Sequence, residues 1–348
     1  MESNAVSVRS PASRLLTTLR MPTVAALGGT VIFCAVLLVI PDGMRYSTLS
    51  LATSWVIFSI LVYGVDLVHG SIGYLSLAHV GIWAIGAYAI FIFQLEQHYG
   101  FWESALLTIP VCMAAAIIIA AFAFRTSGYY FALLTFVISE LIRLGADNLR
   151  SLTGGHDGLF LFDRPTVLGL SFRDPATFFR FVVLCLLAVM VFNYLIMRSP
   201  FGQKAKAVGE SEDLAESLGI GSYRTKVTMF VLSSIPAAIS GLLYATFSGA
   251  IQPELFGPDV GIGTVLMAIL GGSGSLFGPL LGAVIYIFTP VVLPLGPVVG
   301  TGAVGLVLIL VIRLSPGGLS ARIVDIVRGT FRLGGIWFGS RSASKVSP

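Results

Sequence analysis

The chain has 348 residues, of which 56% are hydrophobic and only 11% charged, with a mean hydropathy of +0.92. Soluble domains carry about 25% charged residues, so a water-facing surface for a body of this size is excluded. The net charge of +4 is spread over the ends of apolar blocks rather than gathered in one patch, which sets nucleic-acid binding aside.

Residues 1–21 are polar and hold Arg9, Arg14 and Arg20 ahead of an apolar block at 22–40. A signal peptide has a similar layout. This block, however, is long, ends in Pro41-Asp42-Gly43 without a small-x-small cleavage pattern, and is followed by more spans. It reads as an uncleaved first helix. Further blocks fall near 46–66, 77–95, 104–124, 128–146 and 178–197, then at 227–250, 260–272, 276–293 and 297–313. Blocks of roughly 20 residues match a bilayer crossed as helix, giving an all-α polytopic bundle of about ten spans. Gly/Pro-rich interruptions among the last three imply broken or re-entrant helices.

Orientation follows from the basic residues. Fifteen of the 21 Lys and Arg fall on one side if the spans alternate: the N-terminal tail, Arg125, the stretch 198–226 and everything from Arg313 onward. Both termini are therefore expected in the cytoplasm, with tails at 1–21 and 314–348 around a membrane domain at 22–313. The stretch 198–226 is then a cytoplasmic loop, and 147–177 an external loop long enough to meet an outside partner. Arg322, Arg328 and Arg332, interleaved with apolar residues, suit either the anionic inner leaflet of membrane lipid or an ordinary basic tail.

No catalytic constellation is present. His69, His79, His98 and His156 lack metal-ligand spacing, and no GxSxG or GxxxxGK[ST] occurs, so the chain is not expected to hydrolyse ATP, bind a metal or hold a cofactor. Cys34, Cys112 and Cys185 are odd in number and far apart, which reads as core packing. Gly274, Gly278 and Gly282, spaced by four, predict a Gly-lined stripe on one helix for close packing.

Polar residues inside the apolar blocks carry more information. Asp66, His69, Ser71, Ser76 and His79 cluster in one segment, with Gly70 and Gly73 positioned to break the helix. Ionisable groups at membrane depth usually face a bundle interior or an aqueous cavity, which makes Asp66, Ser76 and His79 candidate pathway residues. The alternative for Asp66 and His69 is a place at the cytoplasmic membrane edge. Glu140 and Arg143, three apart on one predicted helix, are positioned to pair, and Glu140 is a further pathway candidate. In the cytoplasmic loop, residues 203–218 predict a short helix with an Ala/Leu side, stopped at Gly219. It is either a docking helix or a solvated connector.

This loop resembles the coupling motif of ABC importer permeases, written EAA, three residues, Gly, nine residues, then I-x-L-P. Here Asp213-Leu214-Ala215 precedes Gly219 by the right spacing, and Met229-Phe230-Val231-Leu232 follows without the Pro. The chain resembles the branched-chain amino-acid permeases of the LivH/LivM group, especially the LivM side. The segments that carry this are Gly73–His79 with Gly86–Tyr88, Gly128–Ala132 with Thr135, Glu140 and Arg143, Thr153–Gly158, Ser199–Gly202 running to Leu218–Ile220, and Leu270–Pro279. Family members usually carry Asn at Asp66, Gln at Tyr74 and Arg at Gly209. The first two departures bear on ligand choice, the third on the coupling interface.

The resemblance implies a permease subunit translocating branched-chain or related amino acids across the bacterial cytoplasmic membrane. Its implied partners are an external substrate-binding protein, a second permease subunit and two cytoplasmic ATPase subunits that use the ATP. Glu210, Asp213, Ala215 and Gly219 would carry the coupling contact. The competing class is a secondary transporter or channel for small polar solutes, which also uses broken helices but has no reason to shape 198–226 for an ATPase. Urea, short amides and aromatic acids remain alternative substrates within the ABC class.

Overall fold

A computed structural model describes residues 28–39, 41, 43–161, 166–167 and 170–292, with isolated positions at 305, 313 and 318–320. The N-terminal tail, and nearly all of the C-terminal tail and of the block at 297–313, lie outside the described residues. Each of the other nine expected blocks holds a helix. These are α1 (Gly28–Val39), α2 (Tyr46–Ile72), α3 (Ala78–Leu95), α4 (Phe101–Ala123), α5 (Tyr129–Asn148), α7 (Pro175–Arg198), α10 (Ser222–Ser248), α11 (Pro258–Gly271) and α12 (Gly278–Val292). A single turn, α6 (Arg150–Thr153), follows α5, and α8 (Pro200–Glu210) and α9 (Glu212–Ser217) occupy the polar stretch before α10. Among the described residues seven helical stretches are long and apolar enough to cross a membrane, the last of them α11 together with the turn before it (Pro253–Gly271), while α1 and α12 are shorter.

The centre of the bundle is α10 packed on α2, α3 and α4. Three polar side chains tie α2 to its neighbours by donating to backbone carbonyls. Ser240 Oγ reaches Ile57 O at 2.8 Å, Trp55 Nε1 reaches Leu280 O at 3.1 Å and Asn193 Nδ2 reaches Tyr63 O at 3.0 Å. Without water to compete, such interhelical bonds hold membrane helices together where apolar burial gives no drive. Cys34 and Cys112 are buried and Cys185 is half-buried, all as free thiols.

Helices α11 and α12 have 14 and 15 residues, about 21–23 Å at 1.5 Å per residue. Each alone is short of a ~30 Å hydrocarbon core. They form an antiparallel hairpin: a Cβ on Gly282 would lie 1.8 Å from Met267 O, and one on Gly278 3.2 Å from Gly271 O. Gly274 does not share their stripe. It lies in the loop before α12 with φ +75°, and it packs against Gly70 of α2. The Gly-Ser-Gly-Ser run before Leu276 is a poor helix former, so the helix starts only at Gly278. The expected single stripe is thus two contacts on different partners.

At the end of the bundle opposite α8 and α9, short strands β1 (Leu159–Phe160) and β4 (Ala250–Ile251) pair antiparallel, while β2 (Thr166–Val167) and β3 (Leu170–Ser171) form a separate hairpin. His156 lies 3.4 Å from Asp147 and 3.6 Å from Glu254, where the loop after α5 meets the loop after α10. Asp174 caps α7, accepting from the Thr177 backbone N–H at 3.0 Å and its hydroxyl at 2.6 Å. Those two bonds, the hydroxyl's first, hold the Asp174 carboxyl below its usual range. Because the folded pKa is depressed, the cap stabilises α7 above the ordinary carboxylate pKa and weakens as pH falls through the lowered value. Asp174→Ala is expected to cost about 1 kcal/mol at neutral pH and less near pH 3, measurable by thermal unfolding in detergent.

Candidate functional site

The break predicted near Gly70 and Gly73 occurs at Gly73 alone. Gly70 remains helical, and α2 runs on to Ile72 before Gly73 turns at φ +75°, its N–H returning to His69 O. That left-handed conformation favours glycine. Residues 73–77 are non-helical, and α3 starts at Ala78. The break is clamped from two other helices. Leu77 N donates to Thr135 Oγ1 of α5 at 3.2 Å, and His79 joins α10.

Ser76 and His79 are fully buried. His79 Nε2 lies 2.9 Å from Ser233 Oγ and its Nδ1 lies 3.1 Å from Ser76 Oγ. Ser233 spends its only hydroxyl proton on Phe230 O at 2.6 Å, so it accepts from Nε2–H. Nδ1 therefore accepts from Ser76, and a neutral imidazole satisfies every group. Removing the ring leaves Ser76 without its acceptor. His79→Leu is expected to lower stability by about 1–3 kcal/mol. In a double-mutant cycle Ser76→Ala/His79→Leu should lose less than the sum of the single changes, because the orphaned hydroxyl is gone.

Asp66 is buried within the last two turns of α2, which ends at Ile72. Its Oδ1 accepts from Gly274 N at 2.8 Å. It lines a cleft of about 60 Å³ with Tyr63, Asn193, Tyr194 and Ser275, room for a few waters. His69 is half-buried beside it in sequence. Glu140 stands apart from these groups. Arg143 Nε donates to both its oxygens at 2.9 and 3.0 Å, with Nη2 adding a further bond, so the pair is bidentate. Glu140 also borders a small pocket with Leu77, Ser139, Phe256 and Gly257. The structure therefore joins Ser76 to His79, and places Asp66 and Glu140 in two separate pockets.

The polar stretch after α7 is two helices rather than one. Ser199 caps α8 by accepting from Gly202 N, and Ser211 ends α8 and caps α9 by accepting from Leu214 N. The resulting elbow buries Ala205, Val208 and Ala215 against the bundle and exposes Glu210 and Asp213. Leu214 and Leu218 are 62% and 73% exposed. Gly219 ends the elbow at φ +80°, with open space where a Cβ would point. Gly209 sits on the end of α2: a Cβ there would lie 2.4 Å from Ser71 O and 2.9 Å from Ile72 Cα.

Sequence reasoning missed three residues here. Lys226 was one basic residue among many, though a lysine in the first turns of an apolar helix is itself a signal. Ser233 sits in a Ser-Ser pair within an apolar span, and Glu212 follows a serine able to cap a helix.

Helices long and apolar enough to cross a bilayer, packed as one bundle, define a polytopic helical membrane protein. Comparison with known proteins agrees. Residues 47–316 match the family described as the branched-chain amino acid transport system/permease component. LivM of Salmonella typhimurium is 32% identical over 287 residues, covering 74% of this chain and 67% of that protein. LivM of Escherichia coli is 31% identical over 274 residues, covering 71% and 64%, respectively. LivH of Salmonella typhimurium is 28% identical over 243 residues, covering 66% and 79%. The matched part thus spans about two thirds of the length of the LivM relatives. No solved structure matches the chain. The chain belongs to the family of branched-chain amino-acid transport permease components, and it is a multi-pass protein of the cytoplasmic membrane.

Proposed function

We propose that this chain is the membrane-spanning subunit of an ATP-driven importer for branched-chain or related amino acids. The observation that carries this reading is the elbow α8–α9, which presents exposed Leu214 and Leu218 and rests through Gly209 on the end of α2, where the break begins. Leu214 and Leu218 are the apolar residues that a partner docked on the elbow would cover. The elbow end faces the cytoplasm, where two ATPase subunits dock on it and use the ATP. The chain itself holds no cofactor. Glu210, Asp213, Ala215 and Gly219 shape the coupling contact. A second permease, LivH-like or a second copy, completes the path, and the external loop over 147–177 meets a substrate-binding protein.

Ser76 and His79 act at the inner gate of the path rather than on an open binding surface, because they are buried and satisfy each other. Asp66 and Glu140 line the pathway on either side of that gate. Gly274, Gly278 and Gly282 serve close packing. Asp66 and Tyr74 stand where the family usually carries amides, so leucine, isoleucine and valine are not the only substrates to test.

The test is radiolabelled leucine uptake in vesicles holding this subunit with its ATPase, permease and binding-protein partners. Uptake should require internal ATP. Gly219→Trp adds bulk at the exposed end of the elbow and strains its left-handed turn at φ +80°, a change confined to the cytoplasmic face, so insertion into the membrane should persist while uptake falls at least tenfold. Uptake driven by an ion gradient without ATP would overturn the importer reading in favour of a secondary transporter.

A further inference from the structure

Lys226 lies in the second turn of α10, where its side chain is only 7% exposed. A buried ammonium must be paired and hydrogen-bonded to persist, and its partners come from two different places. On one side it reaches Glu212 Oε1 of α9 at 2.5 Å. On the other it donates to Tyr74 Oη at 3.1 Å, beside the hydroxyl edge of the ring. Glu212 belongs to the elbow, and Tyr74 belongs to the break between α2 and α3.

Tyr74 is itself fixed. Its ring meets Phe131 edge-on at 4.8 Å and Phe124 at 5.6 Å. One residue beyond, Leu75 is exposed, and Ser76 bonds His79. A displacement of Tyr74 therefore moves the residues next to the candidate gate. The elbow also meets this region through Gly209 on Ser71 and Ile72. That second contact is backbone against backbone: it transmits a push but not a pull. The Glu212–Lys226–Tyr74 chain resists separation, which an apolar contact alone does not.

We propose that Lys226 is the positioning residue that ties the elbow to the helix break, so that movement of α9 is carried to residues 73–77 in both directions. The inference rests on the reading of the elbow as the ATPase-docking element. Glu212 is the elbow's handle and Tyr74 is the handle of the break. Charge and reach are both required, because Lys226 must hold a carboxylate and a phenol at once.

The experiment uses the full complex in vesicles and compares uptake per ATP hydrolysed. Lys226→Met should leave hydrolysis running and cut uptake per ATP at least tenfold. Lys226→Arg, which keeps the charge and the hydrogen-bond donors, should restore most of it. Tyr74→Phe, which keeps the ring and removes only the hydroxyl, should lose a smaller share. Spin labels at Leu75→Cys and Glu216→Cys read the tie directly. Their separation should hold steady through ATP binding in the parent and broaden in Lys226→Met. Uptake per ATP within twofold of the parent in Lys226→Met would overturn the proposal. So would a loss that Lys226→Arg does not restore, or label distances that Lys226→Met leaves unchanged. Absence of ATP-dependent uptake in the unaltered complex would remove the importer reading itself, and this inference with it.

Discussion

Leu214→Asp/Leu218→Asp should abolish ATP-driven uptake, by a hundredfold or more, while the protein still inserts and unfolds at its usual temperature. Both leucines are largely exposed in the isolated chain, so charging them costs the fold almost nothing; surface changes stay within about 0.5 kcal/mol. In a docked complex they are covered, and two carboxylates buried there without partners cost several kcal/mol. About 2.8 kcal/mol is already a hundredfold in an equilibrium. Co-purification of the ATPase subunits with the variant measures the same effect independently of transport. Retained binding with normal uptake would show that the elbow docks through another face.

Gly282→Leu should cause the largest loss of stability of any single change considered. A Cβ at this position would fall 1.8 Å from Met267 O and 2.7 Å from its carbonyl carbon. Both are backbone atoms of α11 and cannot rotate away, so the hairpin must open along its length. Overpacking typically costs 1–3 kcal/mol and occasionally more, and a rigid backbone clash belongs at or above the top of that range. Gly261→Ala is the matched control. It lies in α11 too, but its Cβ would meet only Leu77 Cδ2 at an ordinary 3.6 Å. There a gain of roughly 0.4–1 kcal/mol is expected, because alanine restricts the unfolded chain. Thermal unfolding in detergent should place the two variants on opposite sides of the parent. A Gly282→Leu protein as stable as the parent would mean that α11 and α12 do not pack as described.

The helices were legible because apolar blocks of membrane length leave few alternatives. The break near Gly73 was legible as well, though its single position was not. Both Gly70 and Gly73 permit a break, and only the packing of Gly70 on Gly274 keeps the first helical. The elbow's division at Ser211 was in the sequence as a cap followed by two acids, but an apolar side running through 203–218 hid it. Gly274 looked helical by spacing alone, and its Gly-Ser surroundings outweighed the spacing. The pairings of the site were beyond reach. Lys226 and Tyr74 are separated by 152 residues and Asp66 and Gly274 by 208, and no local pattern reports contacts that distant.

The Asp66–Gly274 bond also has a meaning for the order of synthesis. A ribosome adding about 5–20 residues per second makes the acceptor roughly 10–40 s before its donor, 208 residues later. During that interval α2 is already long and apolar enough to leave the translocon, yet it carries a carboxylate with no protein donor. The helix should therefore linger at the exit, beside water or a translocon side chain, until the hairpin of α11 and α12 arrives. Asp66→Leu should release α2 into lipid early, and site-specific crosslinking of stalled nascent chains would show it as a shorter dwell beside the channel.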